Sequence, residues 1–271
     1  MPKLQLWALA AWPASWAIFC SPVLAQTEPE APSNTATSRE PAASTSSRSI
    51  SMGVASMPVY AGASERRVLV GAIASYQWAN GLSIGIAGLN WRLSNNPQWE
   101  YGLGLGQDAG RKEGDSAHLS GLGDVKNQVT LTAFANARIA QNLSLNSRLE
   151  LGSGNTREGA VLKIGAAYTV PLGDSMGLSL SVAASFANAG YMGNYFGVTA
   201  AQSTSSGYAA YTASGGLRDV GVGAELNYKI APKWVLTLGL SGTALVGAAK
   251  DSPVVRKPNY ASGLLGLTYS F

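Results

Sequence analysis

The 271-residue sequence predicts an all-β protein, an antiparallel up-and-down transmembrane β-barrel. Three observations support this prediction. Apolar and polar residues alternate with a period of two along eleven segments of the chain. Many of these segments reach the roughly 9 to 11 residues that a tilted strand needs to cross a bilayer. Only 13% of the residues are charged, about half the proportion in an ordinary soluble domain.

The first 25 residues have the pattern of a cleaved signal peptide. A single charge, Lys3, precedes the apolar run 6–19, and the small residue Ala25 closes the segment. We therefore expect export from the cytoplasm. Cleavage would remove Cys20, the only cysteine, and leave a mature chain without disulfides or cysteine metal ligands.

Residues 26–48 form the next segment and are rich in Ser, Thr and Pro. Too few apolar side chains are present to compensate for the entropy lost on folding, so we predict a flexible periplasmic leader. The barrel is predicted to occupy residues 49–271.

The strand pattern is clearest in two segments. In 143–151 leucines alternate with polar residues, and in 220–230 apolar residues alternate with Gly, Glu, Asn and Lys. The same alternation continues along the chain, more weakly in the first segment. The eleven predicted strands are 50–60, 67–78, 82–93, 99–105, 128–139, 143–151, 161–172, 178–186, 220–230, 234–245 and 260–271.

The connections between these strands differ in length in a regular way. Tight turns are expected at 79–81, 141–142, 173–174 and 231–232, and long loops at 107–127, 152–159, 188–216 and 246–258. This is the arrangement of short periplasmic turns and long outer loops in outer-membrane barrels. Because such barrels close with an even number of strands, we predict 12 strands, with a twelfth in 94–127, and keep 10 as the alternative.

Aromatic residues lie near the ends of the predicted strands, where amphipathic rings favour the membrane interface. They are Tyr76, Trp78, Trp91, Trp99, Tyr228, Trp234 and Tyr260. The last strand alternates up to the terminal Phe271. It resembles the C-terminal strand that the outer-membrane assembly machinery recognises, so that machinery is an expected partner, together with outer-membrane lipid and lipopolysaccharide.

Several loop blocks resemble the MipA/OmpV family of outer-membrane proteins, and the resemblance extends over nearly everything after Ser49. The most specific block is Tyr191–Thr199, followed by Gly215–Val220. The other blocks are Pro58–Gly62, Gly110-Arg111, Leu119–Val125, Gln202-Ser203, Ser206-Gly207, Tyr211 and Asp251–Pro253.

The family resemblance implies a non-enzymatic barrel that acts as a scaffold. In the family this role is to bind a membrane-bound lytic transglycosylase and link it to a bifunctional penicillin-binding protein for peptidoglycan synthesis. Other members look like porin-type channels or adhesion-associated surface proteins, and both remain alternatives here.

The sequence offers little catalytic chemistry. His118, the only histidine, stands two residues from Ser120, but the pattern of outer-membrane phospholipases does not continue after it. The nearby Asp108, Asp115 and Asp124 follow no spacing that would place them in one cluster with His118. We therefore predict no catalytic, cofactor-binding or metal-binding residues, and no cofactor. The net charge of +4 is scattered, which argues against a nucleic-acid partner.

Charged residues within the predicted strands are expected to face the lumen. They are Glu100, Arg138, Arg148, Glu150, Lys163, Glu225 and Lys229. A paired network would close the lumen, whereas the many Gly, Ala and Ser residues would leave room for a small conducting path. The aromatic-rich loop 188–216 is expected either to form part of an aromatic interface belt and pack against other loops, or to contact a partner or ligand.

Overall fold

The computed structural model describes residues 46–271, and in this part of the chain twelve antiparallel strands form one closed barrel. Each strand pairs with its neighbours in sequence, and β1 closes the barrel by pairing with β12 from Ser49 opposite Ser270 to Ser56 opposite Gly263. The strands are β1 Ser47–Pro58, β2 Arg66–Gln77, β3 Leu82–Gly85, β4 Gly88–Arg92, β5 Trp99–Asp108, β6 Gln128–Ala140, β7 Leu143–Ser153, β8 Gly159–Pro171, β9 Met176–Ala187, β10 Gly216–Ala231, β11 Trp234–Leu245 and β12 Asn259–Ser270.

The predicted fold class and the number of strands are confirmed. The predicted signal peptide, 1–25, and residues 26–45 of the predicted leader lie outside the described residues. The first strand begins at Ser47, two residues before the predicted start of the barrel.

The predicted position of the twelfth strand is wrong. The segment 94–127 contains one strand, β5, as far as the structure describes it, whereas the single strand predicted at 82–93 is the hairpin of β3 and β4. Its two-residue turn is Ile86-Ala87, which places Gly85 opposite Gly88. Gly88 has φ +90°, and a Cβ there would lie 2.1 Å from the Leu105 carbonyl oxygen, so both the turn and the neighbouring strand require glycine.

The outer face of the barrel is apolar and exposed. Val70 is 77% exposed, and Leu131, Val222 and Leu240 are 62%, 61% and 60% exposed. A continuous apolar surface of this size is unstable in water but matches the hydrocarbon of a bilayer. The alternating pattern therefore turns its apolar side to lipid, and the small and polar side chains line the lumen.

An aromatic girdle lies at the end of the barrel where β1 begins and β12 ends. Tyr76 lies 4.5 Å from Trp78, and Trp234 lies 4.9 Å from Tyr269, between ring centroids. The short connections are at this same end, which is therefore the periplasmic end. None of the helices in residues 46–271 is long and apolar enough to cross a membrane.

The long connections lie at the opposite, outer end and contain the helical turns. These are two 3₁₀ turns, Glu113–Asp115 and Ala117–Leu119, and the helices α1 Ala189–Phe196, α2 Ala200–Ser206 and α3 Gly247–Lys250. Asn188 caps α1 by accepting a hydrogen bond from the Tyr191 amide, and Thr199 and Gln202 form a capping box on α2. We call the four connections 59–65, 109–127, 188–215 and 246–258 the outer cap.

Candidate functional site

The outer cap closes the outer mouth of the barrel with two apolar clusters. In one cluster, Met192 and Phe196 of α1 are 1% and 2% exposed and pack with Val161 and Leu245, at the outer ends of β8 and β11. The other cluster joins all four connections of the cap; its members are Tyr60, Ala63, Leu119, Leu122, Val198 and Val254. The cap is thus a packed core continuous with the barrel wall.

Tyrosine and serine hydroxyls tie the connections of the cap to one another. Tyr60 Oη donates to the Val254 carbonyl at 3.1 Å, Tyr208 Oη to the His118 carbonyl at 3.1 Å, and Tyr211 Oη to the Ala248 carbonyl at 2.9 Å. Ser252 Oγ donates to the Phe196 carbonyl at 2.6 Å. Each bond joins two different connections, so none of the connections moves independently.

Two short hydrogen bonds join side chains of α2 to the backbone of the 109–127 connection. Gln202 Nε2 donates to the Leu122 carbonyl at 2.5 Å, and Ser205 Oγ donates to the Gly121 carbonyl at 2.6 Å. Gly121 has φ +80°, and a Cβ there would lie 2.5 Å from the Ser205 backbone. The 109–127 connection can therefore reach α2 only with glycine at this position.

Arg111 lies at the centre of the cap and is 4% exposed. Its Nη1 donates to the Tyr195 carbonyl at 2.8 Å, and its backbone pairs with Val125. Tyr195 Oη in turn donates to Asp108 Oδ1 at 2.5 Å, at the outer end of β5. Burial lowers the pKa of Arg111 and raises the pKa of Tyr195, and burial also raises the pKa of Tyr60 and Tyr191 to about 12.

An ion network lies on the lumen side of β7 and β8, directly below the cap. Glu150 Oε1 lies 3.0 Å from Lys163 Nζ and 3.4 Å from Arg148 Nε. Lys163 is only 3% exposed, so its charge depends on this carboxylate. Arg148 and Glu150 lie on β7, and Lys163 lies on the neighbouring strand β8. Arg148 is directly opposite Lys163 in the pairing of these strands, so the three inward side chains are close together.

A second ion pair joins the network to the cap. Arg218 Nε lies 2.5 Å from Asp219 Oδ2, and the Arg218 guanidinium lies over the Tyr191 ring, 5.1 Å from its centroid. Tyr191 stacks on Tyr195 with 4.5 Å between centroids. The aromatic helix α1 is therefore held between the charges of the lumen and the apolar clusters of the cap.

The structure brings together only part of the predicted set of lumen charges. Arg148, Glu150 and Lys163 meet in one network, whereas Glu225 is buried lower in the lumen, where Asn227 Nδ2 donates to its Oε1 at 2.8 Å. The remaining predicted charges lie toward the periplasmic end; they are Glu100, Arg138 and Lys229.

Sequence reasoning missed the roles of Arg111, Arg218 and Asp219. All three lie in blocks that carry the family resemblance. A sequence pattern does not reveal that Arg111 donates to a carbonyl of another connection, or that the adjacent Arg218 and Asp219 form a buried ion pair beneath the Tyr191 ring. For 188–216 the sequence predicts either an aromatic interface belt with loop packing, or contact with a partner or ligand. In the structure this loop packs against the other loops of the cap and against the lumen charges. It is not part of the girdle, which lies at the other end of the barrel.

The residues tested for catalytic chemistry also belong to the cap. The backbone amide of His118 donates to Ser116 Oγ, and its carbonyl accepts from Tyr208, while Ser120 is exposed. Asp115 accepts from the Lys112 amide, and Asp124 from the Glu113 amide. Across residues 46–271, no group of three or more His, Cys, Asp or Glu side chains could hold a metal ion.

A closed barrel of twelve antiparallel strands, with an apolar outer face, a periplasmic aromatic girdle and long outer loops, defines an outer-membrane β-barrel protein. Residues 50–271 match the sequence model of the family described as MltA-interacting protein MipA, which covers nearly all of the described chain. The chain belongs to this family.

Solved structures with a similar fold are outer-membrane barrels. A KdgM porin is 13% identical with a TM-score of 0.44, and covers 82% of this chain and 99% of its own. A NanC porin is 10% identical with a TM-score of 0.43, covering 82% and 100%. The COG4313 outer membrane channel from Pseudomonas putida F1 is 15% identical with a TM-score of 0.42, covering 84% and 96%. Among curated protein sequences, none matches this chain.

Proposed function

We propose that this protein is a non-enzymatic outer-membrane scaffold whose barrel is closed on the outside and presents its periplasmic end to a partner. The observation that carries the proposal is the outer cap, in which four connections share apolar clusters and hydrogen bonds. A cap packed to this degree leaves the periplasmic turns as the accessible docking surface. Export by a signal peptide at 1–25 is part of the proposal.

The ion network supports a closed lumen. Arg148 and Lys163 lie in the lumen below the cap, and each is held by its attraction to Glu150. A solute path would need to separate these charges, and a separated charge at low exposure is unfavourable. We therefore favour a scaffold over a porin-like channel or an adhesion-associated surface protein.

The periplasmic end has the charge expected of a docking surface for an acidic partner. Basic residues outnumber acidic ones among the turns and strand ends there; the basic residues are Arg48, Arg92, Arg138, Lys229 and Lys233, and the acidic ones are Glu100 and Asp174. Opposite charges steer association and fix orientation. The family description names an interaction with MltA, so we propose a lytic transglycosylase as the partner, with a penicillin-binding protein for peptidoglycan synthesis joined through it.

Capture of the transglycosylase tests the scaffold proposal. The refolded barrel should retain the purified enzyme, and the double variant Arg138→Glu, Lys229→Glu should retain much less. Lys250→Glu, an exposed charge change in α3 of the outer cap, is the matched control and should retain the enzyme as the unaltered protein does. Equal capture by all three proteins would contradict docking at the periplasmic end.

Planar-bilayer recordings test the closed lumen separately. We expect a silent membrane from the purified barrel and stepwise conductance after removal of the 189–206 segment, which contains α1 and α2. Stepwise conductance from the unaltered protein would favour the porin-like alternative.

A further inference from the structure

One stretch of the barrel wall lacks a neighbouring strand. All twelve residues of β2 pair with β1, but only Tyr76 and Gln77 pair with β3 on the other side. On the opposite margin of the gap, β4 pairs with β5 only from Gly102 to Leu105. Within the described chain, the outer parts of β2 and β5 therefore face each other without a strand between them.

The backbone groups that face this gap can be assigned from the strand alternation. The Trp78 amide donates to the Leu82 carbonyl at 2.8 Å, so Trp78 directs its backbone toward β3. Every second residue along a strand directs its amide and carbonyl to the same side, so the other even-numbered residues of β2 also face in this direction. The amides and carbonyls of Val68, Val70, Ala72 and Ala74 therefore point into the gap.

The gap has a complete frame, and we call it the side window. Its floor is the Ile86-Ala87 turn, and its roof is the contact of Ser116 Oγ with Glu65 Oε1 at 2.7 Å. At the floor, two strands separate β2 from β5, so the window is about 14 Å wide there, three strand spacings. Arg148 stabilises the floor from inside by donating to the Ala87 carbonyl at 3.0 Å.

The side window opens at membrane depth. It lies above Tyr76, which belongs to the periplasmic girdle, and its β2 margin carries the outward apolar side chains of Val68 and Val70. These are the most exposed of the large hydrophobic residues in the described chain, at 64% and 77%. The window therefore faces the outer leaflet of the membrane.

An unpaired strand edge at this depth requires a hydrogen-bonding partner. Hydrocarbon satisfies neither amides nor carbonyls, which is why membrane barrels close. Soluble proteins protect exposed edges with Lys, Pro or a bulge, and the stretch from Val68 to Ser75 contains none of these. The edge of β2 therefore requires a ligand or partner that satisfies its amides and carbonyls.

We propose that the side window binds an outer-leaflet lipid that carries amide-linked, hydroxylated acyl chains, the chemistry of lipid A. The edge presents both amide donors and carbonyl acceptors, so its ligand must both accept and donate hydrogen bonds. Ester-linked acyl chains can only accept, whereas amides and hydroxyls do both. The acyl chains would lie along Val68 and Val70, and this site is independent of the proposed scaffold role.

Spin labels at the window test the proposal. In full-length protein with Cys20→Ser, Ile73→Cys places one nitroxide on the inward face of β2 beside the window. Ala183→Cys is the matched control, because Ala183 is inward on β9, where both neighbours are paired. In vesicles containing lipid A, the Ile73 label should be accessible to oxygen, which partitions into lipid, and the Ala183 label should not.

Other outcomes of this measurement would overturn the proposal. Access of a water-soluble nickel chelate to the Ile73 label, without access of oxygen, would mean a water-filled window. The same oxygen access in vesicles of ester-linked phospholipid alone would mean that any lipid enters. Equal protection of both labels would mean that the wall is closed.

A window-closing variant provides a second measurement. Inserting eight alternating apolar and polar residues between Ile86 and Ala87 lengthens β3 and β4 and gives β2 a partner. We expect lipid A to copurify with the unaltered barrel, and the variant should lose both this lipid and the oxygen access at position 73. Retention of lipid A by a correctly folded variant would place the lipid elsewhere, and capture of the transglycosylase by the same variant would leave the scaffold proposal intact.

Discussion

The two sides of the barrel wall are built differently. From β8 to β11 the strands are paired along nearly their whole length, for example β9 with both β8 and β10. Between β2 and β5 the wall consists only of the β3–β4 hairpin, whose strands have four and five residues. On this side β2 has no partner strand above Tyr76. The same membrane surrounds both sides, so the difference must be compensated by something other than strand pairing.

Arg148 connects the two sides. It lies on β7 within the continuous wall, pairs with Glu150, and reaches the hairpin through the Ala87 carbonyl and Asn90. Where the hairpin of β3 and β4 stops short, a lumen side chain therefore supplies hydrogen bonds to its turn and to β4. The position of the hairpin depends on the ion network as well as on its own two-strand ladder.

The largest expected effect follows from Glu150→Ala. It leaves Lys163, 3% exposed, and Arg148 without their carboxylate, and breaking a buried ion pair costs about 3 to 5 kcal/mol. Urea unfolding of the refolded barrel in detergent measures the loss. Because Arg148 also holds the hairpin, amide exchange should rise in β3 and β4 more than in β9.

The double variant Glu150→Leu, Lys163→Met is the control for this experiment. It removes Glu150 together with the more buried of its two cations and restores apolar packing there, while Arg148 keeps its hydrogen bonds to the Ala87 carbonyl and Asn90. It should recover much of the stability lost in Glu150→Ala. If the single variant unfolds at the same urea concentration as the unaltered protein, the network does not stabilise the wall.

The fold was predictable to a large extent because lipid imposes a simple rule on each strand. Alternation locates the strands, but it predicts a single strand at 82–93, where the structure has the hairpin of β3 and β4, because the twelve residues of this segment are long enough for one crossing. A signal was present: apolar residues occupy even positions at Ile84 and Ile86 and odd positions at Leu89 and Trp91. A two-residue turn reverses the phase in this way, whereas a continuous strand keeps it.

The cap and its ion pairs were less predictable from sequence. Arg111 and Tyr195 are 84 positions apart and meet through one backbone carbonyl, which no local periodicity encodes. The inward direction of Arg148, Glu150 and Lys163 did follow from alternation. Which of the inward charges pair depends on the register between strands, and register is a property of the assembled sheet.

The next effect compares a charge placed on each side of the wall. Val222 and Val70 both face outward, and each lies six residues from a tyrosine near the periplasmic end of its strand, Tyr228 and Tyr76. A lysine on the lipid face costs about 2 to 4 kcal/mol near the bilayer midplane. Val222→Lys should show this cost, whereas Val70→Lys should cost less because its ammonium can reach polar groups at the side window.

Urea unfolding in lipid vesicles measures both variants, with Val222→Met and Val70→Met as uncharged controls. If the two lysines lower the free energy of unfolding equally, the Val70 position offers an ammonium no more polar contacts than the continuous wall does.

A smaller effect is expected within the cap from Tyr60→Phe. The variant removes the hydrogen bond to the Val254 carbonyl, at a cost of about 1 kcal/mol. Burial raises the pKa of Tyr60 to about 12 from 10.0, so this tyrosine stabilises the cap fully below pH 10, and its contribution is lost as the pH rises from 10 to 12. Absorbance of tyrosinate on alkaline titration measures the shift, and Tyr60→Phe should lack the corresponding late component.

The smallest effect concerns the roof of the side window. Hydrogen bonds from Ser116 and Ser64 lower the pKa of Glu65 to about 2 from 4.5. A lowered carboxyl pKa means that the contact stabilises the roof above pH 4.5 and is lost as the pH falls from 4.5 toward 2. Spin labels on Ala61→Cys and Gly114→Cys, in the two connections that meet there, should report a broader distance distribution over that interval.

In Glu65→Gln the distribution should not change with pH, because the amide oxygen can still accept from Ser116 but does not titrate. A distribution that broadens equally in both proteins would show that the acid response arises elsewhere in the cap, and would remove Glu65 from the frame of the window.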